Sequence, residues 1–294
     1  MRGILLFLFT TLTAGVSAQR NCLSREYYSI LQSHSPISSE QLEVFITNAI
    51  TTREQAGTAF GESAGGLAVI RIPVVVHVLY NSASEEISDE QVNSQIKALN
   101  HDFRKLAGDP TGLPQAFRNI AADSYIEFSL ALVDPQGYAT TGIVRKKTNI
   151  KVFGIDDRIK QSAIGGDDPW DPDQYLNIWV GNTAGAYLGY ASVVGGPKKL
   201  DGVVIRYNAF GTTGKLAAPY DKGRTAVHEI GHWLGLYHIW GDRFCGDDRV
   251  EDTPPQQAPT NGCPTGNVAS LCTNDPAGKM YMNFMDLTDD ACTS

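Results

Sequence analysis

The chain has 294 residues, 42% hydrophobic and 19% charged, a globular composition with length for one or two domains rather than a disordered or fibrous one. Its formal net charge of −8 argues against nucleic-acid binding, which needs a basic face. No membrane span is expected either, because a span needs about 20 consecutive apolar residues and no stretch supplies them.

In chain order, the first element is a leader. Met1 and Arg2 form a short positive end, Ile4 to Leu12 an apolar run, and Val16-Ser17-Ala18 a small-residue cleavage site. Residues 1–18 therefore read as a secretory signal peptide, and the protein as secreted. Next, "SREYYSILQSH" and "SSEQLEVFITNAI" read as two short helices, the second opened by a Ser38…Gln41 capping box. The small, polar "TTREQAGTAFGESAGG" is a linker. Too short for a core of its own, segment 19–69 reads as a removable pro-segment with its activation linker, and 70–294 as the main domain.

That domain opens with the strand "AVIRIPVVVHVLY", in which His77 reads as a core residue rather than a ligand. "SDEQVNSQIKALNHDFRKL" repeats Val92, Ile96, Leu99 and Phe103 at helical spacing behind a Ser88…Gln91 capping box, and predicts a long amphipathic helix. "YIEFSLALVD", "GIVRKKT", "YLNIWVGN" and "GVVIRYN" are further strands, and "LGYASV" is an edge strand after a Gly-rich turn. The acidic "DDPWDPD" at 167–173 reads as a surface loop, since its Asp-Pro turns account for it. Strands, one long helix and a second helix carrying histidines predict an α+β domain with a mixed sheet. Past Trp240 the chain is rich in Asp, Pro, Gly, Thr and Cys, a loop-dominated region held by disulfides or ions. Of five cysteines, Cys245, Cys263, Cys272 and Cys292 make two bridges in one of three connectivities, and Cys22 stands alone.

The chemistry lies in "AVHEIGHWLGLYHIWGD". His228 and His232 are four apart and share a helix face, while Val227, Ile230 and Leu234 occupy another at core-like spacing. Gly235 can end the helix in a left-handed turn that swings His238 back towards them. Three converging imidazoles make a zinc site whose fourth position is open to water, the catalytic arrangement. Glu229 projects beside the metal, where it can take a proton from a water that zinc acidifies and hand it to a leaving amine.

Written as H-E-x-x-H-x-x-G-x-x-H, these residues form the metzincin signature. "GRTAVHEIGHWLGLYHIWGD" resembles the pappalysin (cytophagalysin-like) family of secreted metalloproteases. So do "IPVVVHVLYN", "YLNIWVGN", "LGYAS", "DDRVEDTPPQ" and "NFMDLTDDAC", which together reach from Ile70 to Cys292. The resemblance implies a metzincin-type domain: a mixed twisted sheet, a long backing helix, an active-site helix and a loop-rich, disulfide-bonded C-terminal subdomain. It implies a secreted zinc endopeptidase made as a zymogen and acting on proteins or peptides. By it, His228, His232 and His238 hold zinc, Glu229 is the general base, and Met285 is the Met-turn methionine beneath the site. It also implies disulfides Cys245–Cys272 and Cys263–Cys292, and structural calcium near Asp248, Asp252 and Thr253. Leu188, Gly189, Tyr190 and Ala191 become the edge strand that pairs with extended substrate. Cys22 becomes a fourth zinc ligand in the zymogen, removed by cleavage in the 55–70 linker.

The chain departs from the family pattern in three places. Leu287 stands where the family has a tyrosine two residues after the Met-turn methionine, so a hydroxyl for the tetrahedral intermediate is missing. Ala291 replaces the acidic residue that accompanies cleavage before basic residues, so that preference is not carried over. Family members continue past the last cysteine into a further helix, so a domain ending at Ser294 reads as incomplete or trimmed. The competing function is a weakly active or inactive metzincin-fold binding or scaffold protein. Leu287 and the missing helix favour it, and the intact Glu229 opposes it. A zinc enzyme cutting a non-peptide bond is a more distant rival, disfavoured by an edge strand suited to peptides.

Overall fold

A computed structural model describes residues 20–34, 44, 69–105, 113–185, 187–274 and 276–293. The leader at 1–18, the linker at 55–68 and, apart from Val44, the helix expected from "SSEQLEVFITNAI" lie outside the described residues.

The strands are β1 (Asn21–Cys22), β2 (Ile70–Tyr80), β3 (Ile126–Leu130), β4 (Ile143–Lys147), β5 (Leu176–Gly181), β6 (Tyr187–Ala191) and β7 (Val203–Arg206). They form one sheet in the order β1-β6-β7-β5-β2-β3, with β4 also paired to β2. With eleven residues, β2 is long enough for β3 to pair along its first half and β4 along its second. Only β6, antiparallel to β7, breaks the parallel run among the described pairs, which gives the mixed sheet expected.

Alternation along the strands divides the apolar residues between two faces. Val74, Val76, Val78, Ile178, Val180, Val203 and Ile205 meet α2 (Asp89–Phe103) and α3 (Arg224–Trp233) through Val92, Ile96, Leu99, Val227 and Ile230. Each side chain so buried contributes roughly 1.5–3 kcal/mol before its ordering entropy is counted. On the other face Leu79, Trp179, Tyr190 and Val204 gather Phe153, Ile159 and Tyr27, the last from α1 (Ser24–His34). His77 lies in this layer as expected, bonded to Asp167 at 2.8 Å and Asn177 at 3.1 Å and stacked on Trp179.

Two local expectations need correcting. Ser88 caps α2 by accepting from the Gln91 amide at 3.2 Å, but the Gln91 side chain does not return to complete a capping box. It donates instead to the Tyr207 and Phe210 carbonyls and accepts from the Lys215 amide. These backbone groups sit against a buried side chain with water excluded, whereas Ser88 is exposed and water can serve its amide. Leu234 is not a core residue. The helix ends at Trp233, and Leu234, its C-cap, leaves the buried stripe at 39% exposure.

From residue 241 to 293 the described chain contains no helix or strand. Its apolar centre is Met280, Met282 and Leu287 against Ile239, Trp240, Leu113 and Phe117. Disulfides join Cys245 to Cys272 and Cys263 to Cys292, each with Cα atoms 5.5 Å apart.

Candidate metal centre and cleft

Helix α3 sets His228 and His232 one turn apart on the face opposite Val227 and Ile230. Gly235, at φ +96°, then turns the chain, with its amide on the His232 carbonyl at 2.9 Å and the Leu236 amide on Gly231 at 3.0 Å. His238 returns as a result, and the His232 Nε2 lies 3.2 Å from the Nε2 atoms of both His228 and His238.

The outer nitrogens determine what these inner ones are. Nδ1 of His228 meets the Phe284 carbonyl at 2.6 Å, Nδ1 of His232 the Leu236 carbonyl at 2.8 Å, and Nδ1 of His238 the Asp242 carboxylate at 2.6 Å. Carbonyls and carboxylates only accept, so each Nδ1 carries a proton and Nε2 is the atom each ring turns inward, where it can offer its lone pair. Burial, then mutual repulsion among the rings, holds His228 well below its ordinary pKa and His232 down at about 3. Three lone pairs converging without a proton between them fit a cation. Nitrogens around a tetrahedral zinc ion stand about 3.3 Å apart, which matches this spacing.

Cys22 completes the group. Its sulfur and one nitrogen from each of His228, His232 and His238 lie within 4.8 Å of one another. Burial, and then the nearby Glu229 carboxylate, raise the thiol pKa. Glu229 is itself buried, which lifts its carboxyl to about 7, opposed by hydrogen bonds from Ser24 and Cys22 and by the Arg20 charge. Its Oε2 accepts from the Ser24 hydroxyl at 2.8 Å and the Cys22 thiol at 3.5 Å.

The expected edge strand, Leu188 to Ala191, is not the free edge among the described residues, because β1 runs parallel along it. The Leu23 amide donates to the Gly189 carbonyl at 3.3 Å, and the Ala191 amide to the Ser24 hydroxyl at 3.0 Å. Gly189 permits this crowding, since a Cβ there would stand 2.8 Å from Glu229 Cγ. Met285 lies buried under α3, and a Cβ on Gly231 would fall 2.5 Å from its sulfur. Its neighbour Phe284 supplies the carbonyl that orients His228. Leu287 packs into the apolar cluster of the C-terminal region. Asp248 accepts from the Thr253 hydroxyl at 2.7 and 2.9 Å, and Asp252 is exposed on the same turn.

Sequence reasoning missed Ser24 and the buried pair Arg20–Asp290. The Arg20 guanidinium, 2% exposed, contacts the Asp290 carboxylate and lies 5.5 Å from the centre of the Tyr220 ring. Asp290 also accepts the Lys222 and Arg224 amides at 2.8 and 3.3 Å, so it braces the start of α3 as well. The acidic group sits one position before Ala291, where the sequence pattern did not look for it.

A family model described as Peptidase_M43, "Pregnancy-associated plasma protein-A", matches residues 159–293. An extracellular metalloprotease of Pyricularia oryzae is 30% identical over 269 residues, covering 87% of this chain and 80% of that protein. Mature mirolysin of Tannerella forsythia, solved with a cleaved peptide, is similar at 46% identity and a TM-score of 0.75, covering 78% of this chain and 87% of that one. A promirolysin mutant from the same organism is similar at 42% identity and a TM-score of 0.77, covering 93% of this chain and 89% of that one.

Proposed function

This chain belongs to the Peptidase_M43 family, the pappalysins, and from that premise we propose how its own residues carry out the family's reaction. It is an extracellular metalloendopeptidase made as a zymogen, with proteins or peptides as substrates. The observation that carries the residue assignment is the convergence of three proton-free Nε2 atoms beside a buried carboxylate. His228, His232 and His238 hold the catalytic metal, and zinc is the ion that three imidazoles at this spacing in a metalloprotease of this family support best. Zinc bound there supplies a Lewis acid for the peptide carbonyl and draws the pKa of a water towards ~7.

The remaining work falls to the protein. Glu229 accepts a proton from the attacking water and returns it to the leaving amine, and its desolvated position suits a group that must do both. Phe284, Leu236 and Asp242 keep the imidazoles in the ligand tautomer and fix their planes. Gly189 and Ala191 offer the main-chain carbonyl and amide that a substrate strand would use.

Residues 20–24 hold the zymogen inactive. Cys22 is the fourth metal ligand, Ser24 ties up Glu229, and Leu23 occupies the strand edge. Activation removes segment 19–69 by cleavage in the linker, after loss of the leader at Ala18. Arg20 fills a pocket closed by Asp290, and we infer that a basic substrate side chain takes its place in the mature enzyme. Asp290→Asn would then slow cleavage of peptides bearing Arg or Lys at that subsite by about 30-fold or more relative to neutral ones, the loss expected for a desolvated charge pair. Equal slowing of both classes would reduce Asp290 to a brace. Asp248, Asp252 and Thr253 remain the proposed calcium turn, since two carboxylates and a hydroxyl on one irregular turn are the oxygen ligands that calcium takes.

Zymography with wild type, Glu229→Ala and a chelated sample tests the central reading. Glu229→Ala is expected to lose about 10²–10⁴-fold in rate with the fold intact. Metal binding without chelator-sensitive, Glu229-dependent cleavage would instead favour a binding or scaffold protein.

A further inference from the structure

On the face of the sheet away from the imidazoles, a second part of the N-terminal segment is buried. Lys160 has a fully buried side chain and three ammonium protons to place. Asp157 lies 3.0 Å from its Nζ and the Leu200 carbonyl 2.8 Å; the third acceptor is the phenol oxygen of Tyr27, at 3.2 Å. That phenol donates in turn to Asp157 Oδ2 at 2.6 Å. Around the ammonium stand the rings of Tyr27, Trp179 and Tyr190, with centres 4.9, 5.5 and 5.1 Å away. Asp201, the other carboxylate nearby, is taken by Ser192 and Trp233. Asp157 holds this position at φ +55°, a conformation that side chains other than glycine seldom adopt.

The chemistry of this socket selects its occupant. A ring fills the aromatic walls, an oxygen accepts from Lys160, and a proton goes to Asp157; only a phenol does all three. Phenylalanine would fill the same space and leave a buried ammonium proton and a buried carboxylate lone pair without partners. Tyr27 has no exposed surface, although Arg25, Glu26, Ser29 and Ile30 on the same helix are exposed. Every other member of the socket belongs to the main domain and stays behind when the N-terminal segment leaves. We infer that Asp157, Lys160, Trp179 and Tyr190 form a tyrosyl-binding socket, filled in the uncut chain by Tyr27, that holds the pro-segment independently of the metal centre. Release of the pro-segment therefore has to empty this socket as well as break the contacts of residues 20–24 in the cleft, and removing the metal leaves α1 in place. This consequence rests on the pro-segment reading of residues 19–69, whereas the socket itself is tested in the uncut chain.

The experiment is backbone hydrogen exchange of residues 20–34 in the full-length, inert Glu229→Ala chain. Adding Cys22→Ser together with a chelator is expected to change exchange in α1 by less than about threefold. Adding Tyr27→Phe, which removes one oxygen atom, is expected to speed it by about 10–100-fold, because two buried polar groups lose their partner. Exchange in α1 that responds to Cys22→Ser and chelation but not to Tyr27→Phe would overturn the inference. The pro-segment reading fails by a different result: native chain cut in the linker that gains no peptidase activity. That outcome would leave the exchange measurement standing.

Discussion

The body of sheet and helices and the C-terminal region meet at the candidate metal centre, and different forces hold them there. The body contributes His228, His232 and Glu229 from one helix, which Val227 and Ile230 seat in a continuous apolar layer. The C-terminal side contributes His238, the Phe284 carbonyl and Met285, and past residue 241 its described chain forms no helix or strand. Polar groups with backbone partners replace strand ladders there. Asp286, fully buried, accepts from the Gln256 side chain at 2.8 Å and from the Thr260 and Leu287 amides at 2.7 and 2.8 Å. Two disulfides close loops around it. The lesson is that one half of the site is placed by collective packing, and the other by a few discrete links that can be cut one at a time.

Three perturbations separate these two kinds of support, in order of expected size. Ile178→Ala, in the middle of the sheet, should cost about 2–5 kcal/mol and lower a single calorimetric transition for the whole chain. An early transition confined to the C-terminal region would contradict shared packing. Replacing Cys263 and Cys292 together by Ser opens a loop with a sequence separation of 29, worth about 3–4 kcal/mol. Hydrogen exchange should then rise across residues 256–290 while β5 and α2 keep their protection; uniform loss would mean that the two regions open as one. Asp242→Ala removes one orienting contact, and zinc affinity measured against a competing chelator should fall about 10–100-fold. Unchanged affinity would show that packing against Trp240 suffices to hold the His238 ring.

Much of this arrangement was legible from local sequence. A four-residue interval is one helical turn whatever surrounds it, so His228 and His232 could be placed together before any fold was known. Gly235 signalled the turn for the same local reason, and Val-rich alternation marked the strands. The family resemblance supplied the two disulfide pairings that the structure contains, which spacing alone had left open. Long-range partners were not legible. Arg20 and Asp290 are 270 residues apart, Ser24 and Glu229 are 205, and Tyr27 and Asp157 are 130, and no periodicity connects such pairs. Leu287 shows the opposite limit. In the sequence it is only a missing hydroxyl, while in the fold it is 7% exposed and fills the C-terminal core.

The order of residues by itself determined the reactive groups and their local spacing: two imidazoles and a carboxylate on one turn, a helix stop, and a third imidazole six residues past the second. These follow from helix geometry and glycine's conformational range, which act over a few residues. Tertiary structure alone decided which distant side chains close the cleft, that Ser24 and Arg20 lie in it, and that a tyrosine is buried behind the sheet. Those outcomes depend on which surfaces exclude water together. Desolvation is a property of the packed molecule, and it turns a lysine, an aspartate and a phenol far apart in the chain into a single buried group.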